Sequence, residues 1–298
     1  MQIAIYGRSL DARNREGVAI ILRTLAAAGY KLSIHRNYAE LIRAHGLQVP
    51  EEVALFDRLE ELKPEPDYFL SLGGDGTLLS ALPILYPCKV PVAAVNVGRL
   101  GYLTSAELSA FEALLQALET GRCVVEERSL VEAFTNGRKL DDFGLGLNEF
   151  TVVKTDTSSM INVETYVDDI FFSNIWADGL VLSTPTGSTA YALSCGGPVI
   201  TPACPVLLMA AIAPHNLNVR PIVFSDTVRF RFIVQSRSTR FIASLDSRFV
   251  HLPVGTEIEV QQSAWRLPLV RLHTHDHLET LRNKLLWGND MRNVHKFN

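Results

Sequence analysis

Cysteine is scarce and scattered. The four in 298 residues, Cys88, Cys123, Cys195 and Cys204, form no Cys-x-x-Cys pair. Four reduced thiols are therefore expected, rather than a disulfide frame or a zinc site. No sign of charge dominates: 28 Lys and Arg stand against 32 Asp and Glu, a net charge of −4. That balance argues against a nucleic-acid binder that relies on a general positive field, while leaving room for a local basic patch. Long apolar runs are missing as well. The most apolar later stretch, 206–213, stops at Pro214, far short of the ~20 residues that span a bilayer. Met1-Gln2-Ile3-Ala4-Ile5-Tyr6 puts no basic region ahead of an apolar one, so it reads as a first strand and not as a signal peptide. The expectation is a cytoplasmic protein with no nucleic acid and no membrane among its partners.

Hydrophobic residues make up 47% of the chain and charged ones 20%, which is enough apolar material to close a core and marks a globular protein. The length suggests two domains of ~100–200 residues each. In the first part, residues 3–6 are apolar and run into Gly7. Val18, Ile21, Leu22 and Leu25 then fall on one face of a helix, with Gly29 as its stop. Leu32 and Ile34 alternate as a second strand, residues 67–72 run into Gly73, and residues 90–95 are almost wholly apolar. Strands buried on both faces have this character, which predicts an α/β domain with a parallel sheet.

From Cys123 onward the helical spacing gives way to short strand-like segments at 124–125, 131–134, 145–153, 161–167, 170–172, 180–182, 219–224, 228–234, 241–245 and 257–260. Asn136-Gly137 marks a hairpin, because both residues tolerate positive φ. This predicts an all-β, sandwich-like C-terminal domain. Leu278, Leu281, Leu285 and Leu286 return to helical spacing, a tail expected to pack back on the first domain. The expected division is 1–124, completed by 274–298, and 125–273. No low-complexity segment or fixed-period repeat is present.

The sharpest local feature is Gly73-Gly74-Asp75-Gly76-Thr77, between a strand and the helix-like Leu78-Leu79-Ser80-Ala81-Leu82. Glycines at such a turn expose backbone N–H groups that, with a helix N-terminus, attract anions. No Lys follows, so this is not a Walker A loop, and it is not Gly-x-Gly-x-x-Gly. A carboxylate among phosphate-binding amides would repel its ligand unless it does chemistry: taking a proton from an attacking hydroxyl or helping to hold a divalent cation. A helix-capping Asp in a tight turn is the plainer alternative. A second turn, Asn96-Val97-Gly98-Arg99-Leu100-Gly101-Tyr102-Leu103, follows the next strand and would face the same crevice. Arg99 there either reaches phosphate or is simply solvated.

The β-rich part carries Asp178-Gly179 and then Ser183-Thr184-Pro185-Thr186-Gly187-Ser188-Thr189-Ala190-Tyr191, small or hydroxylated residues ending in a flat ring. The segment suits hydrogen bonds to a nucleotide, or equally a polar surface loop. Asn148-Glu149 pairs an amide with a carboxylate, able to grip the two hydroxyls of a ribose.

In this order, these segments resemble the NAD kinase family. The resemblance continues through Gly196-Gly197-Pro198, Ala213-Pro214-His215-Asn216-Leu217, Arg220-Pro221 and Leu281-Arg282-Asn283-Lys284-Leu285. The Gly-Gly-Asp-Gly turn alone also occurs in diacylglycerol and sphingosine kinases and, in similar form, in phosphofructokinases. The Asn-Glu pair and the Ser/Thr-rich segment are what single out NAD kinases. The resemblance implies an α/β nucleotide-binding domain, a β-rich NAD-binding domain and an active site between them. It implies transfer of the ATP γ-phosphoryl group to the adenosine 2′-hydroxyl of NAD, giving NADP and ADP. A divalent cation, with Mg²⁺ the candidate, and a homodimer or homotetramer also follow from it. By the same resemblance Asp75 is the general base. Gly74, Gly76, Tyr102, Leu103 and Thr186 line the NAD and ATP sites, and Asn148 and Glu149 hold a ribose. Asp178 lies toward the nicotinamide, and Thr189, Ala190, Tyr191 and Ser194 complete the NAD pocket. Arg248 follows Asp246-Ser247 where many members have a glycine after the aspartate, and is a further contact. Ser159 and Trp176 stand where some members carry basic side chains. No protein ligand is assigned to the metal, which ATP phosphates and water would hold.

Two other functional classes share part of this pattern. A lipid kinase would use the glycine turn, but would want an apolar acceptor cleft where 183–191 is polar. A non-catalytic NAD(P) sensor would keep the pocket, but would have little use for Asp75. His273, His275 and His277 alternate and would share a strand face, as a zinc site or as a metal-free strand end. His215 reads as structural more readily than as catalytic. In the strand-like run 170–172, Phe171 and Phe172 point to opposite faces, so one of them, close to Ile175 and Trp176, predicts an outward apolar patch at a subunit contact.

Overall fold

The computed structural model describes residues 1–50, 52–98, 101–155 and 159–272, together with Leu281, Arg282 and Leu285, which are helical. The expectations for Arg99, the three alternating histidines, Leu278 and Leu286 lie outside the described residues. The chain forms two units, one of Met1–Glu126 with Pro268–Asn298 and one of Glu127–Leu267.

In the first unit the strands are β1 (Gln2–Tyr6), β2 (Lys31–His35), β3 (Ala54–Phe56), β4 (Tyr68–Leu72), β5 (Val92–Asn96), β6 (Ala106–Glu107) and β7 (Cys123–Arg128). The helices are α1 (Arg15–Ala27), α2 (Arg36–Ala44), α3 (Asp75–Leu85) and α4 (Phe111–Glu119). Across the sheet the order is β3-β2-β1-β4-β5, then Leu267–Leu272, then β7, with β6 beside β5. β1 runs parallel to β2 and β4, and β4 parallel to β5. Ile3, Ala4, Ile5, Phe69, Leu70, Val92 and Ala93 are all fully buried. Neighbouring positions point to opposite faces, so both faces of the sheet are covered, as the apolar runs predict. α1 turns Val18, Ile21, Leu22 and Leu25 onto the core and gives way to Gly29 at φ +70°. The expected parallel α/β sheet is therefore present. Residues 124–125 belong to β7 in this sheet. Leu267–Leu272 also lies in it, pairing parallel to β5 through Leu269 and Val92.

This strand order fixes where a ligand can bind. From β1 the chain proceeds to β2 on one side, whereas β4 and β5 lie on the other. The switch point falls between β1 and β4, and the loops after β1, β4 and β5 leave the same sheet edge, where open α/β sheets bind ligands.

The second unit is two antiparallel sheets. One runs Leu145–Gly146, Val131–Thr135, Glu257–Gln262, Phe230–Gln235, Ile161–Val167, Ile170–Ala177, with Arg138–Lys139 beside Val131–Thr135. The other runs Ile222–Ser225, Val206–Ile212, Gly179–Ser183, Glu149–Lys154, Arg240–Leu245, Arg248–Pro253. Alternate residues of both sheets, including Phe150, Val152, Val163, Leu180, Phe232, Phe241 and Ala243, form one buried cluster. The rings of Phe150 and Phe232 stack with centroids 5.8 Å apart. Asn136 (φ 50°) and Gly137 (φ 70°) make the expected hairpin turn. The apolar run 206–212 is a central strand buried from both sides, which explains its lack of alternation. No helix among the described residues is long and apolar enough to cross a membrane.

Candidate functional site

In the first unit the glycine turn follows β4, and Asp75 opens α3 as its first residue. Its carboxylate accepts two backbone hydrogen bonds, from Tyr102 N–H to Oδ2 (2.7 Å) and from Leu103 N–H to Oδ1 (2.9 Å). Gly101 makes this approach possible, because a Cβ there would stand 2.0 Å from Asp75 Oδ1. Gly74, Asp75, Tyr102 and Leu103 thus meet at the predicted sheet edge, with Gly76 exposed beside them. Arg8, just after β1, brings its Nη1 to 4.0 Å from where a Gly76 Cβ would lie. Among the described residues its guanidinium has no ion pair. Nothing in the local pattern around Arg8 announces this placement, since it depends on β1 and β4 being neighbours.

In the second unit the Asn148-Glu149 turn is organised by a residue 97–99 positions away. Asp246, at φ 51°, accepts N–H groups from Leu147 (2.9 Å), Asn148 (2.8 Å) and Glu149 (3.2 Å). Burial pushes the Asp246 carboxyl up, against the pull of these amides and of Arg248. Glu149 is 8% exposed, and among the described residues its Oε2 has no hydrogen-bond partner. Its carboxyl is pushed up to about 8, first by burial and then by the charge of Asp246, with the Tyr191 backbone N–H working against both. At neutral pH Glu149 is therefore largely a carboxylic acid, able to donate as well as accept.

The segment 183–191 is neither a surface loop nor a row of free hydroxyls. Ser183, Thr184 and Ser188 are fully buried. Thr184 Oγ1 donates to the Leu147 carbonyl (2.6 Å) and Ser183 Oγ to the Asn148 carbonyl (3.2 Å). Ser188 Oγ donates to the Pro185 carbonyl (2.7 Å) and Thr189 Oγ1 to that of Thr186 (3.3 Å). The hydroxyls spend themselves holding the short helix Thr186–Thr189 against the Asn148 turn. Gly187 lets it sit there, since a Cβ would lie 2.1 Å from the Asn148 carbonyl oxygen. What remains accessible is Thr189, Ala190, the exposed Tyr191 ring and Ser194. Burial raises the Tyr191 phenol, with Cys195, Asp178 and Glu149 adding their charge. Asp178 pairs with Lys154 at 2.6 Å. Arg248 is engaged inside the unit, to Asp141 at 3.0 Å and to the Leu145 carbonyl, and so shapes the approach to the Asn148 turn.

The model of the ATP-NAD kinase N-terminal domain matches residues 20–123, and that of the C-terminal domain matches residues 147–272. The NAD kinase of Christiangramia forsetii is 37% identical over 295 residues, covering 98% of this chain and all of that one. The chain belongs to the ATP-NAD kinase family. A second member, the NAD kinase of Cytophaga hutchinsonii, is 35% identical over 293 residues, with 98% and 100% covered. Among solved structures, an Archaeoglobus fulgidus NAD kinase in complex with ATP aligns with a TM-score of 0.73 at 28% identity, covering 96% of this chain and 99% of that one. Yeast NADH kinase complexed with NADH shares the fold at a TM-score of 0.84 and 24% identity, covering 97% of this chain and 88% of that one. The glycine turn and the Asn-Glu turn lie one in each ATP-NAD kinase domain.

Proposed function

We propose that the chain transfers the γ-phosphoryl group of ATP to the 2′-hydroxyl of the adenosine ribose of NAD, giving NADP and ADP. The observation that carries this reading is Asp75: a carboxylate at an anion-binding turn, aimed by two amides, with a lone pair left on each oxygen. A ribose hydroxyl is a poor nucleophile at pH 7. As its oxygen bonds to the γ-phosphorus and the bond to the ADP oxygen breaks, Asp75 takes the hydroxyl proton, help worth ~10²–10⁴-fold. The amides of the turn and the N-terminus of α3 face the phosphates, with Arg8 as an added cation.

Among the described residues no three His, Cys, Asp or Glu side chains cluster as a metal site. A divalent cation would come in on the ATP phosphates, as Mg²⁺ prefers, and would neutralise phosphoryl charge there. In the second unit, Asn148 and Glu149 grip a ribose, with Asp178, Thr189, Ala190, Tyr191 and Ser194 around the rest of NAD. A coupled assay with NAD, ATP and Mg²⁺ tests the proposal: NADP should accumulate, and its absence with folded protein would overturn it.

The two substrates should separate in the kinetics. Asn148→Ala leaves a ribose hydroxyl unpartnered at a cost of roughly 1–3 kcal/mol, so the KM for NAD should rise about tenfold while that for ATP stays put. Arg8→Ala removes a charge-assisted contact and should do the reverse, raising the KM for ATP about tenfold. Equal changes in both constants for either variant would refute its assignment.

The proposal includes a homo-oligomer. Ile170–Ala177 is an edge strand, and Ile170, Phe171, Phe172 and Trp176 are 73%, 53%, 42% and 48% exposed. The pairing register shifts between Thr165 and Tyr166, yet the two Phe rings part as the alternation expects. Phe171 packs on Tyr166, and Phe172 on Phe224 of the facing sheet, which in turn packs on the buried Phe230. Light scattering on dilute enzyme should show a dimer or tetramer whose dissociation weakens NAD binding. A fully active monomer would remove the idea.

A further inference from the structure

Arg271 lies on Leu267–Leu272, beyond β5 in the first unit's sheet, and is 6% exposed. Its guanidinium donates from Nη1 to the Thr104 carbonyl (2.6 Å) and from Nη2 to the Tyr102 carbonyl (3.2 Å), while Nε faces Glu126 at 3.4 Å. The loop it holds is the one whose N–H groups hold Asp75. One peptide group spans the two side chains. The Tyr102 carbonyl accepts from Arg271, and the N–H of the same peptide, on Leu103, donates to Asp75 Oδ1 at 2.9 Å. The peptide dipole lies between a cation and an anion with its negative end to the cation. Each hydrogen bond polarises the peptide in the sense that strengthens the other. Ser105, just past Thr104, is fastened to the same strand: its Oγ donates to the Val270 carbonyl at 2.6 Å and accepts from Ala94 N–H at 3.1 Å.

We propose that Arg271 is a positioning residue for the phosphoryl-transfer step: it clamps the 102–104 backbone from behind, so that two amides aim the Asp75 carboxylate at its substrate hydroxyl. This rests on Asp75 being the base. Arg271 never meets the substrate; it acts through one peptide. Its guanidinium suits the task because a planar fork reaches two carbonyls at once, whereas an ammonium is a point donor.

The test uses the full-length chain. Arg271→Met should lower kcat about 10–100-fold, the scale on which small misplacements of a reacting group are felt, with the KM values for NAD and ATP nearly unchanged. Arg271→Lys should recover part of the loss, and it remains a usable probe if the Met variant does not fold. In an Asp75→Asn background, Arg271→Met should cost almost nothing further, because the effect passes through Asp75. Hydrogen exchange supplies a readout independent of turnover: the Tyr102 and Leu103 amides should lose protection in Arg271→Met while β1 and β4 keep theirs. Undiminished kcat, or undiminished protection of both amides, would overturn the clamp. If the parent chain makes no NADP, the proposed activity fails, and exchange at Tyr102 and Leu103 still decides whether Arg271 holds the loop.

Discussion

Asp75→Asn is expected to cut kcat by about 10²–10⁴-fold, the usual worth of a positioned general base, while the protein still folds and binds NAD. The amide isostere keeps the size of the side chain and removes its ability to take a proton. It also has one acceptor oxygen for two inward-pointing donors, Tyr102 N–H and Leu103 N–H, 2.7 and 2.9 Å from the two carboxylate oxygens. One N–H must therefore face the new NH₂ group, and the loop will ease outward. Two losses then overlap, of base and of loop, and Arg271→Met separates them because it disturbs the loop and leaves the carboxylate. A drop in Asp75→Asn much deeper than in Arg271→Met assigns the difference to proton transfer. Near-normal kcat for Asp75→Asn would leave the carboxylate as a helix-opening residue that merely ties down a loop.

How far the residues themselves foretell this arrangement depends on whether the information is local. β1, β4, α1 and the Asn136-Gly137 turn are legible because apolar period and turn chemistry are properties of consecutive residues. The glycine turn is legible for the same reason: three glycines and one carboxylate have few other uses between a strand and a helix. Partner choice between distant strands is not local. Leu267–Leu272, with Pro268 and Arg271 inside it, is missing from the expected strands, and nothing within it says that it pairs with β5 (through Val92) in the first unit's sheet. Arg8, Arg271 and Asp246 gain their roles from that kind of pairing, across long separations in the chain. The serines and threonines of 183–191 mislead in a different way. Composition signals hydrogen bonding and is silent on the partner, and here most of the partners are carbonyls of the protein itself.

The second large effect concerns Glu149 and pH. Its carboxyl is pushed up to about 8 in the folded protein, by burial first and by Asp246 next, whereas in an unfolded chain it titrates near ~4.3. Between those values the folded state holds a proton that the unfolded state has released. Stability from this group is therefore complete below the unfolded value, declines as pH rises through the interval, and is lost above about 8. From pH 6 to pH 9 the decline amounts to about 2–3 kcal/mol, several degrees in Tm for a unit of this size. Glu149→Gln keeps the shape, the donor and the acceptor of the protonated acid and cannot ionise. Its Tm should match the parent's only below about pH 4, exceed it progressively as pH rises to about 8, and keep that lead toward pH 9. Asp246, Tyr191 and Cys195 face Glu149 and stay in place in the variant, so the divergence reports the ionisation of Glu149 together with its charge coupling to these three groups. At pH 7 the variant should also bind NAD better than Glu149→Ala does, because the neutral acid and the amide offer a ribose the same kinds of hydrogen bond. Parallel Tm curves for parent and variant between pH 5 and pH 9 would show that Glu149 is ionised throughout, and that NAD meets a carboxylate at this turn rather than an acid.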